Sequence, residues 1–277
     1  MKKREKLFSL VNFVASFINF TFMQIISYNI NGIRAAVKKG FDQWLVEQAA
    51  DVYCLQELKA QEEQIDTDFL TQNGYHFSFH TAVKKGYSGV GIISKEKPDE
   101  VIFGCGIEDI DKEGRVLTAR FGDVYVMSLY FPSGSSGSER QAFKMSFLAQ
   151  FQSFIEDFVR KHPKVVLAGD FNICREAIDI HDPVRNAKKS GFLPEEREWF
   201  ARFLDRGFVD SFRQRHPENV TYSWWSYRAA SRKRNKGWRI DYLITGLALA
   251  PKIKAAEILT QVNHADHCPI LLEIEKK

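Results

Sequence analysis

Cysteine is scarce and scattered. The chain of 277 residues has only 4 cysteines, Cys54, Cys105, Cys174 and Cys268, with no Cys-x-x-Cys pair among them. That spacing argues against a thiolate zinc site and against a disulfide scaffold. It fits a reducing compartment, so a cytoplasmic protein is expected, nucleoid-associated if the source is prokaryotic. Surplus charge is also lacking. The formal net charge is +4, but Lys2, Lys3, Arg4 and Lys6 against Glu5 supply +3 of it, leaving +1 from Met23 onward. Any electrostatic case for a partner must therefore rest on local clusters. From Met23 there is no linker, no short-period repeat and no low-complexity stretch, and a charged fraction of 27% does not suggest disorder.

Long apolar runs are missing too. Residues 1–22 begin basic and continue apolar, as a signal peptide does, yet Asn12 and Asn19 interrupt the run and no clear cleavage site follows. The stretch is too short and broken for a membrane span. We read residues 1–22 as an extension, non-functional or weakly targeting, and 23–277 as a single domain.

What is present is ample core material, 44% hydrophobic residues with 23 Phe and 5 Trp. Apolar runs predict strands at 24–28, 52–55, 89–94, 124–131, 165–168, 239–244 and 269–274. Helical spacing marks 40–50 and 139–160, where Phe143, Phe147, Phe151, Phe154, Ile155 and Phe158 form a core-facing stripe. A third helix starts at Pro194, with Glu195 and Glu196 in its first turn and Gly207 just past its end. Strands interleaved with helices over one continuous length mean an α/β fold with packed layers.

The polar residues fall where the apolar runs end. Asn29 and Asn31 follow the first strand, Glu57 the second, and Asp170 and Asn172 the run 165–168. Tyr130 closes 124–131, Asp241 sits inside Arg239-Ile240-Asp241-Tyr242, and Asp266-His267 precede the last strand. Singly these have ordinary explanations: Asn-Gly and Gly-Asp are turn pairs, and His267 fits a hydrogen-bonded core histidine. As a set they supply hard oxygen donors at strand ends, where α/β folds build their sites, and such donors match magnesium or manganese. Asp170 and His267 are candidates for handling the proton of an attacking water. Asp241 is placed to fix the imidazole tautomer and favour its charged form.

With those residues in hand, the sequence resembles the exonuclease III / AP endonuclease family of the DNase I-like endonuclease–exonuclease–phosphatase superfamily. The matching segments are SYNINGIR (27–34), LQELK (55–59), GYSGVGIISK (86–95), EGR (113–115), YFPSG (130–134), GDFN (169–172), GWRIDYLI (237–244) and ADHCP (265–269). The resemblance implies a four-layer α/β/β/α sandwich and a Mg²⁺-dependent (or Mn²⁺-dependent) monomeric nuclease. Its partner would be double-stranded DNA carrying abasic sites or damaged 3′ ends, with no obligate protein partner. It implies Glu57 as principal metal ligand, with Asn31 and Asp266 also close to the metal, and Asp170 with Asn172 at the nucleophilic water and the phosphate. Asn29, Asp170, Asn172 and His267 are counted in the metal's surroundings as well. His267 would touch the phosphate with Asp241 as partner, Asn29 would orient this network, and Tyr130 would lie beside the scissile phosphate. Two departures stand out: Leu58 replaces a common Thr, and Asn31 stands where some relatives have Asp.

Residues 228–239 carry Arg228, Arg232, Lys233, Arg234, Lys236 and Arg239 with no acid. A solvated loop is the plain reading, but Trp224, Trp225 and Trp238 flank the run, and cations beside aromatics suit a distorted DNA backbone. By resemblance Trp224, Trp238 and Ile240 line a pocket for a flipped abasic sugar. Arg34, Lys59, Tyr87, Arg115, Arg140, Asn186 and Arg228 would touch DNA, with 181–192 a contacting loop. The competing readings are a superfamily phosphodiesterase acting on another phosphate ester and an inactive DNA-binding relative.

Overall fold

The computed structural model describes residues 22–276, and strands and helices alternate along them. The strands are β1 (Phe22–Asn29), β2 (Val52–Gln56), β3 (His76–His80), β4 (Val90–Ser94), β5 (Glu100–Phe103), β6 (Val116–Phe121), β7 (Val124–Tyr130), β8 (Val165–Asp170), β9 (Phe208–Asp210), β10 (Asp241–Gly246), β11 (Ile253–Ile258) and β12 (Ile270–Glu275). The helices are α1 (Ile33–Val37), α2 (Phe41–Gln48), α3 (Asp68–Gln72), α4 (Glu108–Asp111), α5 (Ser138–Lys161), α6 (Pro183–Asn186), α7 (Pro194–Asp205) and α8 (Ser211–Arg215). Residues 1–21, most of the expected extension, lie outside the described residues. Phe22 already belongs to β1, paired with Glu275.

Two six-stranded sheets form, in the orders β11-β12-β1-β2-β4-β3 and β5-β6-β7-β8-β10-β9. Each has one parallel pair at its centre, β1 with β2 and β7 with β8. Period-two alternation then builds the layers. In β8, Val166 and Ala168 point between the sheets, while Val165 and Leu167 point outward beneath α5 and α7. In β1, Met23 and Ile25 point between the sheets, while Ile26 and Tyr28 meet α1 and α2. The result is the α/β/β/α sandwich that the resemblance implied.

The phenylalanine stripe lies on α5 as predicted. Phe147, Phe151 and Ile155 are fully buried, and each contributes about 1.5–3 kcal/mol through its removal from water. Phe154 and Phe158 are partly buried against the same core, while Phe143 packs under the Arg140 guanidinium at 4.4 Å. The seven expected strands are present, with the sixth shifted to 241–246 so that Asp241 opens it. Five strands that no apolar run announced are added: β3, β5, β6, β9 and β11.

Candidate active site

The face between the sheets is apolar at one end and polar at the other. On β1 it runs Met23, Ile25, Ser27, Asn29; on β2 it runs Val52, Cys54, Gln56. Ser27 Oγ donates to Gln56 Oε1 (3.3 Å), and the Gln56 amide donates across to Ser128 Oγ (3.2 Å) in the facing sheet. This buried bridge closes the apolar layer, and the site stands on it.

Strand register sets the row above. Tyr130, Asp170 and Asp241 are direct partners across β7, β8 and β10. Asn29 pairs with Gln56, so Glu57 follows beside it. The strands are close here: a Cβ on Gly169 would stand 2.0 Å from the Leu129 carbonyl oxygen, so only glycine fits before Asp170. His267 comes from the turn before β12, bridged to Trp224.

Asn29 fastens one sheet to the other. Its amide donates to Glu57 Oε1 and Asp170 Oδ2, both at 2.9 Å, while its Oδ1 accepts the Asn31 N–H at 3.0 Å. The Asn172 N–H donates to Asp170 Oδ1 (2.8 Å) and its amide to the Phe131 carbonyl (2.9 Å). His267 Nδ1 lies 2.9 and 3.1 Å from the Asp241 oxygens, and Nε2 lies 3.8 Å from Asp170 Oδ2. Ser223 Oγ in turn accepts the N–H groups of Ile240 and Asp241, each at 3.1 Å.

The backbone is strained around these groups. Asn31, Glu57, Lys59 and Asn172 have φ of 46°, 55°, 50° and 52°. For Glu57 and Lys59 this left-handed conformation costs about 1–2 kcal/mol each. Main-chain bonds hold them there: Gly32 N–H to Glu57 O (2.7 Å) and Lys59 N–H to Ser88 O (2.9 Å). Strain of this kind clusters at functional sites.

Burial and the Asp241 charge push the Asp170 carboxyl up to about 7, against the pull of His267. Burial opposes a charge on His267, but Asp241, by charge and hydrogen bond, raises it to about 10. Burial likewise opposes ionisation of Glu57, yet Lys59, with Nζ 2.5 Å from Oε2, and the Asn29 amide hold it below the usual carboxylate range. Burial and the Glu57 charge keep the Tyr130 phenol protonated. The site thus sets an ionised acid, a carboxyl poised near neutrality and a cationic imidazole side by side, the separation that acid–base work requires.

The donor set suits a hard divalent cation. Glu57, Asp170 and His267 each present one donor atom, all within 4.8 Å of one another, and the two carboxylates supply the oxygens such an ion prefers. His267 Nδ1 is engaged by Asp241, so its Nε2, 3.8 Å from Asp170 Oδ2, is the imidazole atom that faces this donor group. Asn31 and Asp266, expected close to the metal, are bonded to each other beside Glu57 and its partner Lys59. The Asn31 amide donates to Asp266 Oδ1 (2.8 Å), and its Oδ1 accepts from Lys59 (2.6 Å).

Residues 26–259 match the Endonuclease/Exonuclease/phosphatase family. The chain belongs to that family. It is 45% identical over 254 residues to the exodeoxyribonuclease of Bacillus subtilis (strain 168), covering 91% of this chain and 99% of that one. Identity to DNA repair nuclease APEX1 of Danio rerio is 38% over 253 residues, covering 90% and 81%. The structure of the 3′ phosphatase NExo from Neisseria bound to product DNA hairpin is similar with a TM-score of 0.86 at 31% identity, covering 91% and 99%. Within the family, this chain is an enzyme of the exonuclease III / AP endonuclease branch.

In this family member the cleft, of about 700 Å³, extends from Glu57, Asp170 and His267 to an apolar wall. Trp224 and Trp238 meet edge to face at 5.9 Å and pack with Ile240, Ile180 and Phe192. The Trp224 indole N–H donates to Asp266 Oδ2 (3.0 Å), tying this wall to the polar half. Asn186 and Arg228 line the same cleft, although the Asn186 amide is already bonded to the His181 and Asp182 carbonyls. Arg34 and Lys59 line a neighbouring cavity of about 570 Å³ with Ile33, Leu58 and Ile65.

Several expected DNA contacts are scaffold instead. Arg115 is buried, donating to Glu113 (2.6 Å), the Tyr130 carbonyl (2.8 Å) and the Tyr87 hydroxyl (3.0 Å), with its guanidinium 4.7 Å above the Tyr130 ring. It therefore orients Tyr130 and has no free face for a phosphate. Tyr87 and Arg140 adjoin this cluster, the Tyr87 hydroxyl accepting from Arg140 at 2.9 Å, but both remain partly exposed toward solvent. In the basic run, Arg239 is buried between Asp179 and Asp210, and Arg232 caps the Thr260, Val262 and Ala265 carbonyls over Trp225. Arg228, Lys233, Arg234 and Lys236 remain exposed. Glu113, Ser223, Lys144 and Glu196 were not anticipated at the site. Lys144 had left a trace, since it falls on the buried face of the phenylalanine stripe.

Proposed function

We propose that the protein hydrolyses phosphodiester bonds of double-stranded DNA on the 5′ side of abasic sites and at damaged or recessed 3′ ends. The observation that carries this reading is one cleft in which Glu57, Asp170 and His267 adjoin the Trp224–Trp238–Ile240 pocket. An apolar pocket without a base-edge reader admits a sugar that has lost its base and obstructs an intact nucleotide.

Asp170 accepts the proton of the attacking water as its oxygen bonds to phosphorus, and the P–O3′ bond breaks with the departing O3′ taking up a proton from solvent to leave a 3′-hydroxyl. Cationic His267, with the amide of Asn172 and the hydroxyl of Tyr130, stabilises the charge on the phosphate oxygens. Asn29 and Asp241 hold Asp170 and His267 in register. Glu57 would be the chief residue to hold Mg²⁺, or Mn²⁺ in its place, and such an ion would supply further neutralisation of phosphate charge. Arg34, Lys59, Arg140, Asn186 and Arg228 face the DNA backbone, positioning the duplex without reading its sequence.

A time course on 5′-labelled duplexes bearing an abasic analogue, a 3′-phosphate or a recessed 3′-OH tests the reading. Cleavage is expected with Mg²⁺ and not in chelator, and Glu57→Gln should raise the Mg²⁺ concentration required. No metal-dependent cleavage of any of the three duplexes would overturn it.

A further inference from the structure

Beneath the cleft, α5 and α7 are joined by an ion pair without access to solvent. Lys144 Nζ lies 2.7 Å from Glu196 Oε1, and both side chains are fully buried. Packed aliphatic side chains of similar volume would join two helices as well or better. What the charges add is directed hydrogen bonding to main-chain groups. The Lys144 ammonium also donates to the Asn172 carbonyl (2.8 Å). Glu196 Oε2 accepts the N–H groups of Gly191 (2.6 Å) and Leu193 (3.0 Å), and Oε1 accepts from Ser190 Oγ (3.2 Å).

The two segments gripped in this way meet beside the site, where a Cβ on Gly191 would stand 3.1 Å from the Asn172 carbonyl oxygen. Asn172 is held at φ 52°, where its N–H reaches Asp170. Gly191 lies against Trp238, so closely that a Cβ would stand 2.8 Å from the indole, and its carbonyl accepts the Cys174 N–H at 2.7 Å. Glu196, read from sequence as a first-turn acid facing the helix dipole, instead turns inward to hold this segment.

We propose that Lys144 and Glu196 are positioning residues. Lys144 sets Asn172 against Asp170 and thereby the rate of the chemical step. Glu196 sets the Gly191 segment against Trp238 and thereby the preference for an abasic sugar. The substrate named here rests on the nuclease reading above; the geometry does not.

The test compares Lys144→Met, Glu196→Gln and the double variant Lys144→Met/Glu196→Leu in the full chain. Melting temperature is measured beside kcat and KM on an abasic duplex and a recessed 3′ end. Lys144→Met should lower kcat about a hundred-fold on both substrates with little change in KM, and Glu196→Gln should reduce abasic incision about ten-fold more than 3′ trimming. The double variant should regain most of the lost melting temperature while kcat stays low. Recovery of kcat together with melting, or losses that follow melting temperature in every variant, would overturn the proposal. If Lys144→Met does not fold, the double variant decides. Backbone ¹⁵N–¹H resonances of Asn172 and Gly191 should shift in the respective variants whatever the substrate. Unmoved resonances would also overturn the proposal, so its failure is distinct from wild-type protein failing to cut abasic DNA.

Discussion

On one side of the cleft, Asn29, Asp170, Asp241 and His267 are at most 3% exposed, and each is held by side-chain hydrogen bonds across two sheets. On the other, Arg228, Lys233 and Lys236 stand exposed on the loop between α8 and β10. Trp238 lies between these extremes, half-buried against Trp224 and Gly191. The difference teaches what each region can contribute. Strand register and burial fix distances to within a hydrogen bond, which chemistry requires. A solvated loop supplies charge without fixed geometry, which is enough to attract a polyanion.

The largest expected effect falls in the fixed half. Asp170→Asn and His267→Ala should each lower kcat by on the order of a thousand-fold or more, the scale of groups that act as a unit. The dissociation constant for abasic DNA, measured in the same variants, should stay within a few-fold. Binding that weakens in step with rate would break the contrast between the two regions.

Next comes the support under the fixed half. Burial opposes ionisation of Asp179, but Arg239 and Arg213 outweigh it and hold the carboxyl below the usual range. A depressed carboxyl stabilises the fold in full above its ordinary pKa of about 4, and that contribution is lost as pH falls through the lowered value. Asp179→Asn leaves buried guanidinium charge less compensated and should cost about 3–5 kcal/mol near neutrality. Denaturant unfolding at a series of pH values should show a smaller acid-side dependence in the variant. An unchanged acid limb would remove Asp179 from the account.

Trp238→Ala tests the intermediate region. Packing of a nucleotide group on an aromatic ring is worth ~1–3 kcal/mol, so its removal should cost roughly ten- to a hundred-fold in abasic incision. Removal of normal nucleotides from a 3′ end should fall much less. Equal losses in both assays with a lowered melting temperature would make Trp238 scaffold and move it into the first class.

The smallest effects belong to the loop. Lys233→Ala and Lys236→Ala should leave kcat unchanged and flatten the salt dependence of DNA binding, by about one unit of log–log slope for each phosphate no longer neutralised. A marked fall in kcat from either would mean that this loop, too, is fixed by the complex.

Legibility from sequence follows burial in the same way. The strands found from apolar runs include β2, β4, β8 and β10, whose residues are buried throughout. Four of the five strands not anticipated, β3, β5, β9 and β11, are the edges of the two sheets. Edge strands are short or half-exposed, and their mixed composition reads as loop: β5 is Glu-Val-Ile-Phe with no fully buried residue. The fifth, β6, carries Thr118 and Arg120 within its run.

The sequence by itself determined the central strands, the stripe on α5 and the residues that close the cleft, because hydrophobic periodicity and strand-end polarity are local properties of the chain. Tertiary structure alone decided which charges are available. Arg115, Arg232 and Arg239 look like DNA contacts in one dimension, yet the Tyr130 carbonyl and Tyr87 hydroxyl, Asp179, Asp210 and other backbone carbonyls from distant segments engage them. Lys144 and Glu196 lie 52 positions apart and meet only when α5 and α7 pack on the same sheet. A cation's partner is set by which segments the fold brings within hydrogen-bond reach, and pairing across such separations leaves no periodic signal in the sequence.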